Sequence, residues 1–508
     1  CVDPMAQGDA GGQRGDLQAI AELAFTLTNF LRSVMKTTHL TLLGLFLFAT
    51  ASICHAIDPA DWPQFRGHNA AGVSQGDAAL PGEIDMERHL VWKSVIGHGH
   101  SSPVIVGDRV YLTALDGKRL LTMALEAETG KVAWQAEAEY ERLEKVHRIG
   151  SRATPSVAAD GDVVVSFFGS SGLHAYDSAG KLLWKNAMGP FDNGHGAASS
   201  PILVEDTIVI IQDHDTGSFL AAYNKRTGEQ KWRVDRPEFR RNYCTPVVWQ
   251  QGGTRQIVIA GTAQVNAYDW KSGEHVWAVL RGSRVISATP VIGGDGRLYV
   301  VNSGGGEAPD QPSFASLLKS SDANKNGQME KDELPDSIIR RFLEQFDRDK
   351  DGSLSEVEYE SIRRTMAYAS PIAMAIEPGG QGDITNSHVA WASSRSIPRN
   401  ASPLLVGGNL FMLKDGGILS VLNAKSGEEL NSGRLKATGK FYSSPVSGDG
   451  KIYAISEEGK LNVITAEPEW KQLATVDLGE DAFATPAIAP YCSCTDWILR
   501  SSCGVSLC

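Results

Sequence analysis

The sequence predicts an all-β fold: an eight-bladed β-propeller of four-stranded antiparallel blades that carries a small α-helical insertion. Three observations predict it. Two phrases recur along the chain, and one long interruption of the repeat has helical character. The first phrase is a small residue, Ser or Thr, then Pro, mostly followed by an aliphatic residue. Its prolines lie 41 to 52 residues apart, except across one gap of 113 residues, and this period is typical of propeller blades. They are Pro103, Pro155, Pro201, Pro246, Pro290, Pro403, Pro445 and Pro486.

The second phrase contains tryptophan and recurs out of step with the first. It occupies residues 124–134, 222–232 and 267–277, a shortened copy ends at Trp184, and a worn copy has Asn431 in the Trp position. An apolar strand, an Asp or Asn turn closed by Gly, and a strand that ends in Trp together predict a β-hairpin. A Trp at the same position of each blade can pack against the neighbouring blade.

These two phrases resemble the pyrroloquinoline-quinone-type (PQQ-like) β-propeller repeat, whose docking motif is Ala-x-Asp-x-x-Thr-Gly-x-x-x-Trp. The resemblance covers about residues 58–490, outside the insertion. In repeat chemistry the chain is similar to the propeller lipoproteins of the outer-membrane β-barrel assembly machine, which implies a scaffold that binds a protein partner. The same repeat family includes quinoprotein dehydrogenases, which hold the quinone in the channel beside a Ca²⁺ bound by Glu, Asn and Asp. One fold therefore leaves two classes of function open.

The repeat and its interruption predict the domain organisation. The strand around Leu90 to Lys93 precedes the first proline phrase, and we expect it to close the last blade by pairing with the other end of the chain. The insertion falls in a loop between the second and third strands of blade five, where surface loops tolerate it. The predicted segments are 1–34, a mis-called leader; 35–56, a signal peptide; 57–303, blades one to five (first part); 304–370, an EF-hand pair; and 371–508, the remaining blades with an atypical tail from about 491.

The start of the chain predicts export. Lys36 precedes the apolar run 40–51, and the small residue Ala56 follows as a cleavage site, as in a secretory signal peptide; the run is too short to span a membrane comfortably. The residues before Cys54 fit a lipoprotein box poorly. We expect a periplasmic or extracellular monomer that does not span a membrane.

Net charge limits the classes of partner that are expected, and the cysteines have several possible roles. The net charge is −12 without a long basic run, so nucleic acid is not expected as a partner. Cys244 stands alone inside a repeat, where a small buried thiol is expected. The cluster in the last 17 residues could form disulfides, hold a metal, or mark a frame slip or divergent end, and we give it little functional weight. Its members are Cys492, Cys494, Cys503 and Cys508.

Two segments of the insertion have the spacing of EF-hand Ca²⁺ loops, with oxygen ligands at positions 1, 3 and 5, Gly at position 6 and Glu at position 12. More carboxylates converge in the second loop, which predicts tighter binding there, and the short distance between the loops predicts a structural module rather than an opening sensor. The alternative is an Asp/Asn-rich surface that binds nothing. The candidate ligands are Asp322, Asn324, Asn326, Gln328 and Glu333 in the first loop, and Asp347, Asp349, Asp351, Ser353 and Glu358 in the second.

A second candidate site lies at the mouth of the predicted channel. Residues just before each proline phrase should lie near the propeller axis on one face, and they are unusually basic for an acidic protein. They predict an anionic or hydroxyl-rich ligand, or an acidic partner surface. The alternative is that they bond loop carbonyls and pair with Asp192, Asp213 and Asp215. The candidates are His100, Arg152, His195, Arg241 and Tyr243.

The sequence as a whole favours an exported, Ca²⁺-binding propeller that acts as a binding or scaffold module for a protein or an anionic ligand. The alternative is a PQQ-dependent dehydrogenase, or another enzyme that uses the channel. Catalysis is not favoured, because the chain has no adjacent cysteine pair and no Cys-x-x-Cys-His haem motif. No catalytic residue is assigned, and PQQ is not expected as a cofactor. Trp249 and Trp270 could stack on a quinone, but core or surface packing is the favoured interpretation.

Overall fold

Short antiparallel strands make up most of the chain in the computed structural model. It describes residues 58–491 apart from 192, 215–216, 305–310, 342 and 348, together with 494–500 and 503–507. The predicted leader and signal peptide lie outside the described residues. Apart from the edge strand Leu90–Val95, neighbouring strands follow one another in chain order within each sheet. The prediction of four-stranded antiparallel sheets is confirmed.

Sheets 1 to 4, numbered along the chain, come mainly from residues 104–279. Sheet 1 is Val104–Val106, Arg109–Asp116, Arg119–Glu126 and Val132–Ala138; sheet 2 is Ala158–Ala159, Val164–Phe167, Leu173–Tyr176 and Leu182–Asn186; sheet 3 is Ile202–Val204, Thr207–Gln212, Phe219–Asn224 and Gln230–Asp235; sheet 4 is Val247–Gln251, Thr254–Gly261, Gln264–Asp269 and His275–Val279, with Gly382–Asp383 added in parallel at its outer edge.

Sheets 5 to 8 come from the second half, and sheet 8 also takes its outermost strand from near the start of the described chain. Sheet 5 is Val291–Ile292, Leu298–Asn302, Ile372–Ile376 and Val389–Ser393; sheet 6 is Leu404–Val406, Asn409–Lys414, Ile418–Asn423 and Glu429–Arg434; sheet 7 is Val446–Gly448, Lys451–Ile455, Lys460–Thr465 and Gln472–Asp477; sheet 8 is Ala487–Tyr491, Cys494–Arg500, Cys503–Leu507 and Leu90–Val95.

Sheet 8 joins the two ends of the repeat region. Leu90–Val95 pairs antiparallel with Cys503–Leu507, as predicted. The tail, set apart from about residue 491 as atypical in sequence, forms the second and third strands of this sheet. Its β-branched and aromatic residues suit a strand even though the repeat phrase is absent. The side chains of the four clustered cysteines lie outside the described residues.

A continuous chain of hydrogen bonds links each sheet to the next. At the start of each inner strand a backbone N–H donates to a Ser or Thr hydroxyl of the following sheet, at 2.9 to 3.1 Å, and the N–H of Thr485 returns to Ser102. We call these side chains the hydroxyl ring. Its described members are Ser102, Ser156, Ser200, Thr245, Thr289, Ser402, Ser444 and Thr485.

The tryptophan phrase also works as predicted, on the outer strands. The indole N–H of Trp92 donates to Ala127 O of sheet 1 at 2.7 Å, and the ring lies over Gly130. A β-carbon at Gly130 would lie 2.4 Å from this ring, and the φ angle of Gly130 is +66°, so both contact and backbone favour glycine. In the worn copy, Asn431 Nδ2 donates to Pro468 O at 2.8 Å and takes over the indole's role.

The junction between sheets 4 and 5 departs from this pattern. Trp277 is fully buried and donates to Gln256 of its own sheet at 2.9 Å. Trp249 instead reaches the next sheet, where its indole donates to Gly296 O at 2.9 Å. Trp249 therefore serves packing, as the sequence analysis favoured.

The apolar core is divided into layers between neighbouring sheets. Between sheets 1 and 2, for example, Val104 and Tyr111 pack with Val157, Val164 and Tyr176. Cys244 is a free, buried thiol in another such layer, as predicted, and burial raises its pKa to about 12.

Helices are few, and most belong to the insertion, which lies between the second and third strands of sheet 5 as predicted. The insertion has its own core, in which Met329 of one loop pairs with Leu354 of the other in a two-stranded ribbon. The described α-helices are α1 Met86–His89, α2 Phe314–Ser321, α3 Ile338–Arg341, α4 Leu343–Phe346 and α5 Glu356–Tyr368; the ribbon is Met329–Glu330 with Ser353–Leu354.

Residues 61–74, here the N-terminal segment, run across the inner strands of several sheets. Trp62 pairs with Ile105 of sheet 1, Asn69 exchanges two hydrogen bonds with Val248 of sheet 4, and Ser74 N–H donates to Ser447 O of sheet 7. Because sheets 1, 4 and 7 are separated along the hydroxyl ring, a segment that contacts all three must cross the space that the ring surrounds.

Candidate functional site

The hydroxyl ring surrounds a cavity of about 590 Å³, here the axial cavity. Phe65 of the N-terminal segment lines it, and because this segment crosses the ring, it closes one end. The hydroxyls of Ser102, Ser156 and Ser200 face this space, as do those of the corresponding residues of other sheets. Each accepts a backbone N–H and keeps its own O–H proton as a donor.

A second set of side chains lines the cavity two residues before each hydroxyl-ring member. This position, which we call the mouth position, contributes a cavity-lining residue in every sheet from 1 to 8. The mouth-position residues are His100, Thr154, Ala198, Tyr243, Ser287, Asn400, Tyr442 and Phe483.

The open end, or mouth, is positively charged. Arg148, Arg399 and Lys440 line the cavity together with three histidines, and the carboxylate found among its described lining residues is that of Asp415. Asp415 Oδ1 is engaged by Phe441 N–H at 3.0 Å. An anion entering from solvent therefore meets a cationic surface.

Aromatic rings form a flat surface on one side of the mouth. His100 stacks on Phe483 with ring centroids 4.5 Å apart and 15° between the planes. Phe483 in turn stacks on Tyr442 at 5.1 Å and 28°. A planar group could lie against these rings.

His195 lies at the centre of a polar cluster at the mouth. Its ring centroid is 5.0 Å from that of His147, and its Nδ1 lies 3.3 Å from the hydroxyl of Tyr243, which donates to Asn193 Oδ1 at 3.2 Å. Burial lowers the pKa of His195, and the nearby His147, Arg241 and Arg399 lower it further. The imidazole is thus neutral at pH 7 and becomes a cation in acid.

Of the five mouth residues predicted from the sequence, three line the axial cavity: His100, His195 and Tyr243. Arg241 is not among the lining residues, although its charge reaches His195. Arg152 lies elsewhere, since its Nε donates to Glu144 O at 2.6 Å beside a separate small hollow.

The alternative partners of the mouth residues are only partly described. Asp213 forms a bidentate pair with the buried Arg236, at 2.9 and 3.0 Å, and it also accepts from Asn242 Nδ2 at 3.2 Å. Asp192 and Asp215 lie outside the described residues.

Sequence reasoning missed several lining residues. Phe483 directly precedes the eighth proline phrase and could have been found by the same rule as Tyr243. Lys440 and Asp415 lie on connections without a motif, and Phe65 lies far from the repeats in sequence.

The sequence 72–76, Gly-Val-Ser-Gln-Gly, has the Gly-x-Ser-x-Gly pattern of a hydrolase nucleophile. That pattern requires a strand-to-helix turn. Here Val73 forms a parallel bridge with Ser447, and Ser74 Oγ accepts from Gly76 N–H at 3.3 Å in an extended segment. Ser74 is therefore not placed as a nucleophile.

The second loop with EF-hand spacing brings its carboxylates together. One oxygen from each of Asp347, Asp349 and Asp351 lies within 4.8 Å of the others. Gly352 N–H donates to Asp347 Oδ2 at 2.8 Å. Glu358, at position 12, accepts from Ser355 N–H at 2.9 Å and is buried. These converging oxygens match the ligand chemistry of Ca²⁺.

The first loop has the same shape with fewer charges. Gly327 N–H donates to Asp322 Oδ2 at 3.1 Å, while Asp322 Oδ1 is buried without a hydrogen-bond partner among the described residues. Glu333, at position 12, accepts from Ala323 N–H at 2.8 Å and from Glu330 N–H at 3.2 Å. A buried carboxylate oxygen that accepts no hydrogen bond from the described residues is suited to bind a cation.

The insertion begins at the mouth. Gly304 lines the axial cavity and accepts from Arg284 N–H at 3.1 Å. At the other end, Ser370 N–H donates to Gly282 O at 2.8 Å. The guanidinium of Arg240 lies 5.6 Å from the ring centroid of Phe346, at the end of α4.

Comparison with known proteins places this geometry in a family. A PQQ-type family model, described as outer membrane protein assembly factor BamB, matches residues 86–211 and 152–332. The chain is a PQQ-like propeller protein. No curated protein sequence matches it.

Solved structures share the propeller's fold at low sequence identity. BamB from Moraxella catarrhalis is 13% identical with a TM-score of 0.51, over 80% of this chain and 93% of that one. The designed protein Ika8 is 10% identical with a TM-score of 0.50, over 83% and 100%. A europium-containing methanol dehydrogenase is 10% identical with a TM-score of 0.47, over 87% and 90%. Within the described part of the propeller, no helix has the length and apolarity to cross a membrane.

Proposed function

We propose that the chain is an exported, monomeric, eight-bladed propeller that binds a small anionic ligand in its axial cavity and holds Ca²⁺ in its insertion. Eight blades are supported by the sheets numbered 1 to 8 and by the hydrogen bond from Thr485 back to Ser102 at 3.0 Å. The observation that carries the ligand proposal is the axial cavity, which has a cationic mouth and a closed opposite end. Export rests on the predicted signal peptide.

The size and lining of the cavity favour a small ligand. Its volume of about 590 Å³ falls within the range of about 300 to 1,000 Å³ that is usual for ligand pockets. Arg148, Arg399 and Lys440 supply positive charge against the single described carboxylate of Asp415. Below them, the hydroxyl ring offers O–H donors to carboxylate, phosphate or hydroxyl groups.

The test is calorimetric titration of the full chain with three anionic probes: citrate, inorganic phosphate and PQQ. The triple variant Arg148→Gln, Arg399→Gln and Lys440→Gln should bind the responding probe at least about tenfold more weakly, because each hydrogen bond to a charged group contributes about 1.5 to 3 kcal/mol.

The matched control removes the same number of cations from exposed ion pairs that do not line the axial cavity. Arg119, Arg226 and Arg233 have side chains 46%, 60% and 40% exposed, so their replacement by Gln should leave binding unchanged. Equal losses in both triple variants would mean that net charge, and not the cavity, attracts the anion. Failure of all three probes to bind wild type would refute the small-anion proposal.

For Ca²⁺, the proposed ligands are those predicted from the sequence, and the second loop is the tighter site because Asp347, Asp349, Asp351 and Glu358 all carry charge. When bound, Ca²⁺ would neutralise these carboxylates and stabilise the ribbon between the loops. The insertion's own core supports a structural role.

Two other functions each rest on one observation. A protein partner is supported by the family model, which is described as an outer-membrane protein assembly factor. A quinone-dependent dehydrogenase is supported by the stacked rings of His100, Phe483 and Tyr442. The described cavity lining includes Asn400 and Asp415 but no Glu, so it offers only part of the Ca²⁺ ligand set that the quinoprotein resemblance implies. PQQ absorbance that stays with the protein through gel filtration would favour the dehydrogenase.

A further inference from the structure

The N-terminal segment buries an arginine that has no acidic partner among the described residues. Arg66 is 0% exposed. Its Nη2 donates to Pro403 O at 2.9 Å and to Pro445 O at 3.3 Å. Its Nε and Nη1 are buried and have no hydrogen-bond partner in the described part of the chain. Of the five guanidinium N–H groups, the Nε–H and the two on Nη1 are left without an acceptor.

Arg236 shows how this protein satisfies another arginine of equal burial. Its side chain is 1% exposed, it forms a bidentate pair with Asp213 at 2.9 and 3.0 Å, and it lies 3.7 Å from the ring centroid of Phe239. Burial lowers the pKa of Arg236, but Asp213 more than reverses this effect. Arg66 has no such compensation.

Arg66 nevertheless carries a charge at neutral pH. Burial lowers its pKa to about 9, which still lies above 7, so the guanidinium is protonated. A buried, unpaired ion costs several kcal/mol even after relaxation, and buried donors are normally satisfied. An acceptor that also carries negative charge would satisfy both these donors and the charge of the guanidinium.

The N-terminal segment packs closely around the guanidinium of Arg66. A β-carbon at Gly72 would lie 2.4 Å from Arg66 Nη2, so the segment folds back closely onto the guanidinium. A β-carbon at Gly67 would lie 2.8 Å from the ring of Trp62. The indole N–H of Trp62 and Nε2 of His68 are also buried without described partners, so the same segment holds further buried polar groups.

We propose that Arg66 binds a small monovalent anion such as chloride, held by its Nη1–H groups within the closed end of the propeller. This site is distinct from the axial cavity, which Phe65 lines and Arg66 does not. The bound anion would hold the guanidinium in place and so stabilise the N-terminal segment, because Arg66 Nη2 donates to the carbonyls of Pro403 and Pro445 at the start of sheets 6 and 7. The proposal does not depend on the ligand of the axial cavity.

The first test measures thermal unfolding of the full chain in mixtures of sodium chloride and sodium gluconate at constant ionic strength. Gluconate is too large for the site. The unfolding midpoint of wild type should rise with chloride and then saturate, because an ion that binds only the native state stabilises it by mass action. Arg66→Gln should lose this dependence. A wild-type midpoint that does not respond to chloride would overturn the proposal.

The matched control is Arg236→Gln, which removes an equally buried arginine. It should lower the unfolding midpoint yet keep the chloride response, since its partner is Asp213. If Arg66→Gln does not fold, crystals of wild type grown in bromide give an independent answer. An anomalous peak within hydrogen-bond distance of Arg66 Nη1 is expected, and a water molecule in that place would refute the anion.

Discussion

The hydroxyl ring makes a prediction that separates the structure from the sequence pattern. Around the second proline phrase the pattern favours Thr154, directly before Pro155, as the equivalent of Ser102. The structure uses Ser156 instead, whose Oγ accepts Ser102 N–H at 2.9 Å. Thr154 Oγ1 donates locally to Ser151 O at 2.9 Å. Replacing each hydroxyl in turn therefore tests which one joins the sheets.

Ser156→Ala should destabilise the protein by about 1 to 2 kcal/mol. Ser156 and Ser102 are 1% and 3% exposed, and leaving a buried N–H without an acceptor costs about 1 to 3 kcal/mol. The lower part of that range applies because Ser156 lines the axial cavity, from which water can replace part of the bond. With an m-value of about 3 kcal/mol/M, the urea midpoint should fall by about 0.3 to 0.7 M, measured by tryptophan fluorescence.

Thr154→Val is the control for this experiment. It removes a hydroxyl from the same loop and keeps the side-chain volume, and because Thr154 is only partly buried, solvent can satisfy Ser151 O. We expect a loss below about 1 kcal/mol. If Thr154→Val lowers the midpoint as much as Ser156→Ala, the assignment of Ser156 to the ring is wrong.

Further measurements test the insertion, a buried histidine and the junction between sheets 4 and 5. In calorimetric titrations with Ca²⁺, Glu358→Gln should weaken the tighter site at least about tenfold, while Glu333→Gln should affect only the weaker one; unchanged binding in both variants would remove these residues from the ligand set. Burial lowers the pKa of His174 from 6.5 to about 4, so the unfolded state binds its proton first as pH falls. Stability should be complete above about pH 6.5 and decrease by about 3 kcal/mol down to pH 4; urea unfolding of His174→Gln should show a smaller pH dependence, and an identical dependence would contradict this. Trp249→Phe loses the bond to Gly296 O and should cost about 1 to 2 kcal/mol, whereas an unchanged urea midpoint would show that this bond does not stabilise the junction.

Much of the fold could be predicted because the same sequence phrases recur in most sheets, so that each copy supports the prediction made from the others. A Gly that Trp must approach closely, as at Gly130, can be recognised in several copies of the repeat. Worn copies are harder, since Asn431 keeps the hydrogen bond of the indole but not its ring. The role of Trp249 left no mark, because its bond to Gly296 O depends on how sheets 4 and 5 meet.

In sheet 2 the hydroxyl-ring member is Ser156 and not Thr154, which lies two residues earlier. This shift explains why Arg152 lies away from the mouth. His100 and Tyr243 lie two residues before their hydroxyl-ring members, and both line the axial cavity. Counting from Ser156 rather than from Thr154 gives Thr154 the mouth position in sheet 2, and Arg152 then lies two residues too early. The proline therefore marks each repeat but does not fix which neighbouring residue belongs to the hydroxyl ring. That assignment decides which side chain faces the axial cavity.

The closed end of the cavity could not be predicted by any local rule. Arg66 meets Pro403 and Pro445, which lie 337 and 379 residues away in the chain, and the N-terminal segment belongs to no repeat. The roles of its glycines and buried N–H groups can be explained only from the contacts that the segment makes with the surrounding sheets. The cationic mouth follows from positions that recur in the sequence, whereas the closed end, which makes the channel a pocket, follows from a single segment threaded across the ring. Removing that segment should therefore open the cavity at both ends without changing the residues of the mouth.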